Sequence, residues 1–500
     1  MPQEKPHKVL IANRGEIACR IMRGCRELQL PTVAVYSEAD ARSRHRWMAD
    51  EAVCIGPPPS AESYLLGDKI LQVALQTGAT MVHPGYGFLS ENADFRQKCD
   101  DNGIQFIGPP ASAMRQMGVK THARDAMRAA GVPVVPGSDG PLKTVEEALT
   151  CAAEMGYPVL LKAASGGGGK GIRLVENAEE LPGALEGAKR EAGAYFGDAT
   201  VYLEKFIVNP RHIEIQILAD RHGNTIHLFD RECSVQRRRQ KIIEESPAAN
   251  LSLETRHKMG AMAVQAARAV RYESAGTIEC LVDAHENFYF MEMNTRLQVE
   301  HPVTELVTGI DLVIEQLRVA MGLPLSVRQE DVHQRGHAIE CRIYAEDPSR
   351  NFLPSPGPLQ IYRPPNGPGV RIDDGVCEGD VISNFYDPMI AKYSVWAPNR
   401  AQAIARMVAN LHEFDIAGIA HNIDHLQQVL ASAAFVAGRY DTGIVETLPP
   451  LAQEAQDDEI SAILAAILTH RQRSVVQPKQ AIAAESAWQI AARQQGLRPR

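Results

Sequence analysis

The stretch Thr277 to Asn294, TIECLVDAHENFYFMEMN, holds two apolar, aromatic-rich runs around the polar break Ala284-His285-Glu286-Asn287, the pattern of a β-hairpin. A turn centred on those four residues pairs strand positions whose numbers sum to about 571, so that Glu279 faces Glu292. Like charges opposite each other destabilise a sheet, and the neighbours Ile278, Cys280, Met291 and Met293 are apolar, surroundings in which an ionised group is costly. The fold has to bring positive charge to this hairpin. Hard oxygen ligands on a rigid hairpin suit magnesium, which takes one or two carboxylates and completes its shell from substrate phosphates. A nucleotide site around the hairpin is therefore expected.

The text on either side predicts α/β and α+β architecture. From Lys8, the runs KVLIA, NRGE, IACRIMRGCREL and TVAVYSEAD read as strand, tight turn, helix and strand, the opening of a parallel, Rossmann-like layer. ATMVHPGYG and IQFIGPP repeat the rhythm, and this unit is expected over 1–118. A central region is expected over 119–335, and in it prolines and glycines crowd GVPVVPGSDGP, marking the link into a second unit. Within it YPVLLKAASGGGGKGIRLV gives two strands joined by a glycine loop, the core of a small mobile lid at about 136–208. Alternating strands follow from Arg211 (HIEIQILAD, NTIHLFD, the hairpin, HAIECRIYAED), predicting a large antiparallel sheet, with a C-terminal antiparallel-sheet domain over 336–450. The tail, 451–500, reads as a helix and a partly disordered end.

Several functions are excluded early. A net charge of -9 over 500 residues argues against general nucleic-acid binding. The basic run Arg231 to Lys241, RECSVQRRRQK, has no interleaved aromatics and is flanked by Glu244 and Glu245, so it reads as a face for an anionic substrate or a salt-bridged surface. The nine cysteines show no CxxC spacing, which points away from disulfides and zinc and towards the cytoplasm. No secretory or membrane-spanning apolar run is present in the text. ANRGEIACR carries a single glycine where a dinucleotide fingerprint needs GxGxxG.

The glycine loop Ser165 to Gly171, SGGGGKG, lets backbone N–H groups close on phosphate oxygens, and because IRLV continues as a strand it is no Walker A motif. Lys162, ending the preceding strand, and Lys120 are placed to reach the same phosphates. Downstream, Glu292, Asn294, Arg296, Gln298 and Glu300 alternate in MEMNTRLQVEH, as expected for five polar side chains on one face of a continuing strand. A magnesium-assisted phosphoryl site explains that row, with Arg296 forking an oxyanion and Glu300 as general base. HPGYGFLSEN reads as a glycine turn and a helix starting at Ser90.

Together these motifs resemble the biotin carboxylase family, a branch of the ATP-grasp enzymes. IANRGEIA, HPGYGFLSEN, KAASGGGGKG, EKFIVNPRHIEIQ, CSVQRR, GTIE, EMNTRLQVEHPVTE, RGHAIECRIYAEDP and FLPSPG occur in family order between about Lys8 and Leu448. The resemblance implies conversion of ATP and bicarbonate to carboxyphosphate, then carboxylation of biotin held on a protein lysine. It implies nucleotide contacts from Lys120, Lys162, Glu204, Lys205, His212 and Gln236, with Ile207 and Leu281 beside them and Gly168 and Gly169 in the lid. Glu279, Glu292 and Asn294 would ligate magnesium or manganese. Lys241, Arg296, Gln298, Val299 and Glu300 would form the bicarbonate pocket, Arg342 would steady the biotin enolate, and Tyr86 would line the biotin side. No Met-Lys-Met biotinyl motif is found, so biotin is expected on a separate carrier protein, with a carboxyltransferase subunit as second partner and a homodimer as the family's assembly. The chain departs from the family at Arg239, where histidine is usual; the added cation is expected to bind phosphate. The alternative function is another ATP-grasp carboxylate–amine ligase.

Overall fold

The structure, a computed structural model, describes residues 6–138, 140–163, 172–196, 199–451 and 466–467. Residues 1–449 form one compact unit and 450–500 a second. The glycines at 168 and 169 and nearly all of the tail, with its expected helix, lie outside the described residues.

The N-terminal layer is a parallel sheet of five strands: β1 (Val9–Ile11), β2 (Thr32–Ser37), β3 (Glu51–Gly56), β4 (Met81–His83) and β5 (Gln105–Phe106), in the order β3-β2-β1-β4-β5. Val9, Leu10 and Ile11 are all fully buried, because helices cover both faces and a doubly covered strand is apolar throughout. One of those helices, α1 (Gly15–Glu27), follows β1 directly. Strand order reverses direction between β1 and β4, so the loops leaving these two strands, Asn13–Glu16 and Pro84–Tyr86, meet where open α/β sheets bind ligands.

Helix α2 (Lys120–Ala129) leads into the lid. Its three antiparallel strands, β6 (Val159–Ala163), β7 (Ile172–Val175) and β8 (Val201–Lys205), pack with α3 (Val145–Met155) and α4 (Leu181–Phe196). Leu142, Leu161, Val175, Leu181, Leu185 and Leu203 give the lid a hydrophobic core of its own.

Eight further strands form one antiparallel sheet, accompanied by three short two-stranded ladders in the C-terminal part. The eight are β9 (Arg211–Ala219), β10 (Thr225–Arg237), β11 (Gln240–Ser246), β12 (Ser274–Val282), β13 (Phe288–Asn294), β14 (His337–Tyr344), β15 (Val370–Asp374) and β16 (Met389–Ala397), in the order β13-β12-β9-β10-β11-β14-β16-β15. The expected large antiparallel sheet and C-terminal sheet are one continuous ladder. Helix α5 (Leu253–Ala269) packs on one face over Ile213, Ile215, Ile278 and Cys280. Helix α6 (His301–Thr308) follows the hairpin, and α7 (Arg400–Glu413) covers Ile339, Cys341, Ile343 and Val395 at the C-terminal end. No helix among the described residues is long and apolar enough to cross a membrane.

Candidate active site

Cross-strand register puts four charged candidate residues in one row. Glu292 on β13 lies opposite Glu279 on β12, Glu279 opposite Glu214 on β9, and Glu214 opposite Arg231 on β10. The expected pairing of the two hairpin glutamates is present, with the turn spanning 283–287.

Three adjacent carboxylates, two of them buried, would repel one another, and cations offset the charge of the buried pair. Lys241 on β11 places its ammonium 2.7 Å from Glu214, 2.9 Å from Glu279 and 2.5 Å from Glu300. Arg231 is wholly buried; its Nε binds Glu214, and its terminal nitrogens reach Gln216 (2.6 Å), Thr304 (2.9 Å), Thr277 (3.1 Å) and Gln298 (2.6 Å). Arg342 on β14 donates to Glu244 (2.6 Å) and to the second oxygen of Glu300 (3.0 Å). Burial works to raise the Glu300 pKa, yet Lys241, Arg342 and Arg231 outweigh it and hold the carboxyl well below the usual carboxylate range. At Glu279 burial is likewise outweighed, by Lys241 and His212. Burial opposes the charge of Lys241, but Glu214, Glu279 and Glu300 keep its pKa well above that of an ordinary lysine. Glu244 is pushed up by burial to about 7, with Arg342 opposing and Glu300 adding to the rise.

The expected metal ligands lie together. Asn294 donates to Glu279 (2.8 Å), and its amide oxygen accepts from Arg296 (2.8 Å). Two carboxylates and an amide oxygen on one hairpin face are hard donors, and they fit magnesium. A second close set, His212, Glu214 and Glu279, already holds the Lys241 ammonium against both its carboxylates, which supplies the positive charge a cation would bring.

Gln298 donates to Glu279 (2.7 Å), and Gln236 lies 2.8 Å from His212 Nδ1, which turns His212 Nε2 to within 3.2 Å of Glu279. Lys162 and Glu204 form an ion pair inside the lid. Lys205 turns its ammonium onto the carbonyls of Gly156 (2.8 Å) and Tyr157 (3.1 Å), away from the carboxylate row. Ile207 is buried and Leu281 half-buried. Lys120 opens α2, and its side chain is outside the described residues. Tyr86 does not join the Glu300 cluster; its hydroxyl donates to Glu16.

Three expectations are corrected. β13 stops at Asn294, so Arg296, Gln298 and Glu300 are not on a continuing strand. Glu91 captures the Thr295 amide (3.0 Å) and the Arg296 guanidinium (3.1 Å), drawing the chain off the sheet edge into a turn before α6. The helix after HPGYGFLSEN starts at Ala93, capped by Asn92 and not by Ser90: the Asn92 side chain accepts from Phe95 N at 2.8 Å. The run from Arg231 to Lys241 is neither a surface face nor a uniform substrate face. Arg231 at one end is buried and Lys241 at the other is half-buried in the site, while Arg238 and Arg239 form an exposed hairpin tip.

Sequence reasoning missed Arg231, Glu214 and Glu91. Glu214 and Gln216 interrupt the apolar strand IEIQILA at alternate positions, a signal of polar groups facing a site, whereas nothing local marks Glu91, whose partners lie about two hundred residues away.

Carboxylates able to hold a divalent cation, set in a sheet beside a lid with its own core, are what an ATP-dependent ligase of the ATP-grasp class requires, and this chain is one. Family models match at 5–114 (biotin carboxylase, N-terminal domain), 119–328 (carbamoyl-phosphate synthase L chain, ATP binding domain) and 340–447 (biotin carboxylase C-terminal domain). Biotin carboxylase 1 of Bacillus subtilis is 54% identical over 441 residues, 88% of this chain and 98% of that one. The rat mitochondrial methylcrotonoyl-CoA carboxylase subunit alpha is 50% identical over 93% of this chain and 66% of its own length. Among solved structures, the biotin carboxylase domain dimer of Hydrogenobacter thermophilus 2-oxoglutarate carboxylase, in complex with MgADP, ADP and bicarbonate, is 48% identical with a TM-score of 0.80, covering 88% of this chain and 97% of that one. The chain belongs to the biotin carboxylase family.

Proposed function

We propose that the protein uses ATP and bicarbonate to carboxylate biotin attached to a carrier protein, the first half-reaction of a biotin-dependent carboxylase, and hands the product to a carboxyltransferase subunit. The observation that carries this reading is Glu300 held between Lys241, which also binds the carboxylate row, and Arg342 on β14. Bicarbonate is a poor nucleophile and has to lose its proton as it attacks the γ-phosphate. Lys241 and Arg296 are the cations that would hold it, with Gln298 and the Val299 backbone beside them. While Lys241 and Arg342 grip Glu300, its carboxylate is ionised but a weak base; an incoming anion that engages those cations relaxes the grip and raises its basicity where a proton must leave. Arg342 then has a guanidinium free to steady the ureido oxygen as the biotin nitrogen takes the carboxyl group. Glu279, Glu292 and Asn294 would hold magnesium, which when bound offsets the charge of the ATP phosphates. Lys162 would reach the nucleotide from the lid, whose closure would exclude the water that destroys carboxyphosphate. A homodimer fits the assembly named for the Hydrogenobacter relative. Cysteines scattered without CxxC spacing agree with the cytoplasm.

The test is ATP cleavage by the full chain. It should require bicarbonate and magnesium, rise on adding free biotin and vanish with a chelator. Stimulation by an amine in place of biotin would favour a carboxylate–amine ligase and overturn the reading.

A further inference from the structure

The proposed mechanism leaves the IANRGEIA motif without a task, along with a lysine sealed in the protein. Lys392 lies on β16, where its neighbours Ile390, Ala391 and Tyr393 are all buried, and it is itself fully buried. Methionine would fill similar space there without the several kcal/mol that burying an ammonium costs. Its placement is specific. Register sets Lys392 beside Arg342 on one side and Asp373 on the other. Its Nζ donates to the Val299 carbonyl (2.9 Å), lies 3.3 Å from Glu16 Oε1 and 3.7 Å from Asp373, and stands 6.0 Å from the centre of the Tyr86 ring.

Glu16, in the first turn of α1, accepts the Tyr86 hydroxyl through the same Oε1. Asn13, three residues earlier, donates its amide to the carbonyls of Pro84 (2.7 Å) and Tyr86 (2.8 Å). Gly85 permits that approach: its φ is +64°, and a Cβ there would meet Asn13 Nδ2 at 2.9 Å. The turn after β1 therefore clamps the turn after β4 at the point where strand order reverses. Gly375 seals the junction from the C-terminal side, since a Cβ on it would come within 2.4 Å of the Gly15 backbone.

We propose that Lys392 and Glu16 are positioning residues for the biotin side of the site: Glu16 fixes the Tyr86 ring from the N-terminal layer, and Lys392 ties Glu16 to the Val299 carbonyl beside Glu300. The pair sets the distance between the wall that meets biotin and the pocket that makes the carboxyl donor. This inference rests on the proposed function, and Lys392 and Glu16 act through Tyr86 and Val299 without touching substrate.

The experiment measures KM for free biotin and for ATP in the full-length wild type and in Glu16→Gln, Tyr86→Phe, Lys392→Met and the Glu16→Gln/Tyr86→Phe double variant. Glu16→Gln and Lys392→Met should each raise the biotin KM about tenfold or more, since a displacement near 1 Å at a reacting centre is enough for that, while the ATP KM stays within about twofold. Glu16→Gln and Tyr86→Phe should be non-additive, the double variant being no worse than the poorer single one. The proposal is overturned if biotin and ATP KM rise together, if the biotin KM does not move, or if the two effects add. Should Lys392→Met fail to fold, the near-isosteric Glu16→Gln and Tyr86→Phe still decide. A wild type that ignores biotin would sink the functional reading itself, whereas a biotin-responsive wild type with unaffected variants sinks only this inference.

Discussion

Lys241 and Arg231 are where removal of one atom group should be felt most, because each neutralises carboxylates with no access to bulk water. Arg231→Met leaves Glu214 beside Glu279 with one cation fewer and strands the Gln298 carbonyl; we expect a loss of about 3 kcal/mol or more, the usual result of breaking a buried ion pair from one side, measurable by chemical denaturation. Glu300→Gln keeps the shape but removes the proposed proton acceptor, and bicarbonate-dependent ATP cleavage should fall by about 10² to 10⁴ in kcat. A different glutamate governs acid stability. Glu245 is buried, and although burial works to raise its pKa, His337 and Arg400 hold it at about 2, with the Tyr440 hydroxyl donating to it as well (2.5 Å). Its folded pKa lies below the unfolded value, so its contribution is present above the ordinary glutamate range and lost as pH falls towards 2. The contribution is worth about 3 kcal/mol. Denaturation midpoints should drop steeply across that interval in the wild type, and Glu245→Gln should flatten the drop. Some of these residues were legible in the sequence and some were not. Glu279 and Glu292 declared themselves because charge inside an apolar hairpin is anomalous wherever it is read; Glu245 and Arg231 look like ordinary surface charge until strands far apart in the chain are laid side by side.

At the level of single elements, the hairpin of β12 and β13 was readable to the register of one pair, since two apolar runs about a polar break leave few alternatives. The segment after it was not. Even spacing of polar residues mimics a strand face, and only Glu91, reaching across from the N-terminal layer, diverts it. The hairpin joining β10 and β11 turns on Arg238 and Arg239 alone, with φ of +49° and +68°. Both central residues of such a turn prefer glycine or asparagine. Arg239→Gly should therefore stabilise the protein by about 0.5 to 1 kcal/mol, read as a higher thermal midpoint; an unchanged or lower midpoint would mean that the arginine makes a compensating contact. The strands on either side of the glycine loop were visible in the sequence, and they pack with two helices around a core of their own.

Seen whole, the molecule shares its cores across its sheets. The lid buries apolar side chains of its own, whereas Val9, Ile11 and Ile21 of the N-terminal layer pack in one cluster with Leu218, Leu228 and Ala275 of the large sheet, and β11 pairs directly with β14, so the strands carrying Lys241 and Arg342 belong to one ladder. Because residues 1–449 form one compact unit, a chain cut after Pro449 should unfold with a midpoint within a few degrees of the full protein, and calorimetry would reveal any larger dependence on the tail. The sequence announced antiparallel strands on both sides of residue 336 but contained nothing to say that they join, because backbone pairing between distant segments leaves no local signature. That join has an evolutionary edge. A seam between relatives placed near residue 336 would fall inside a hydrogen-bonded lattice, and one inserted residue in β14 would swing the guanidinium to the opposite surface. A hybrid of two parents joined there keeps its ladder only where the strand from one parent matches the register of the strand from the other.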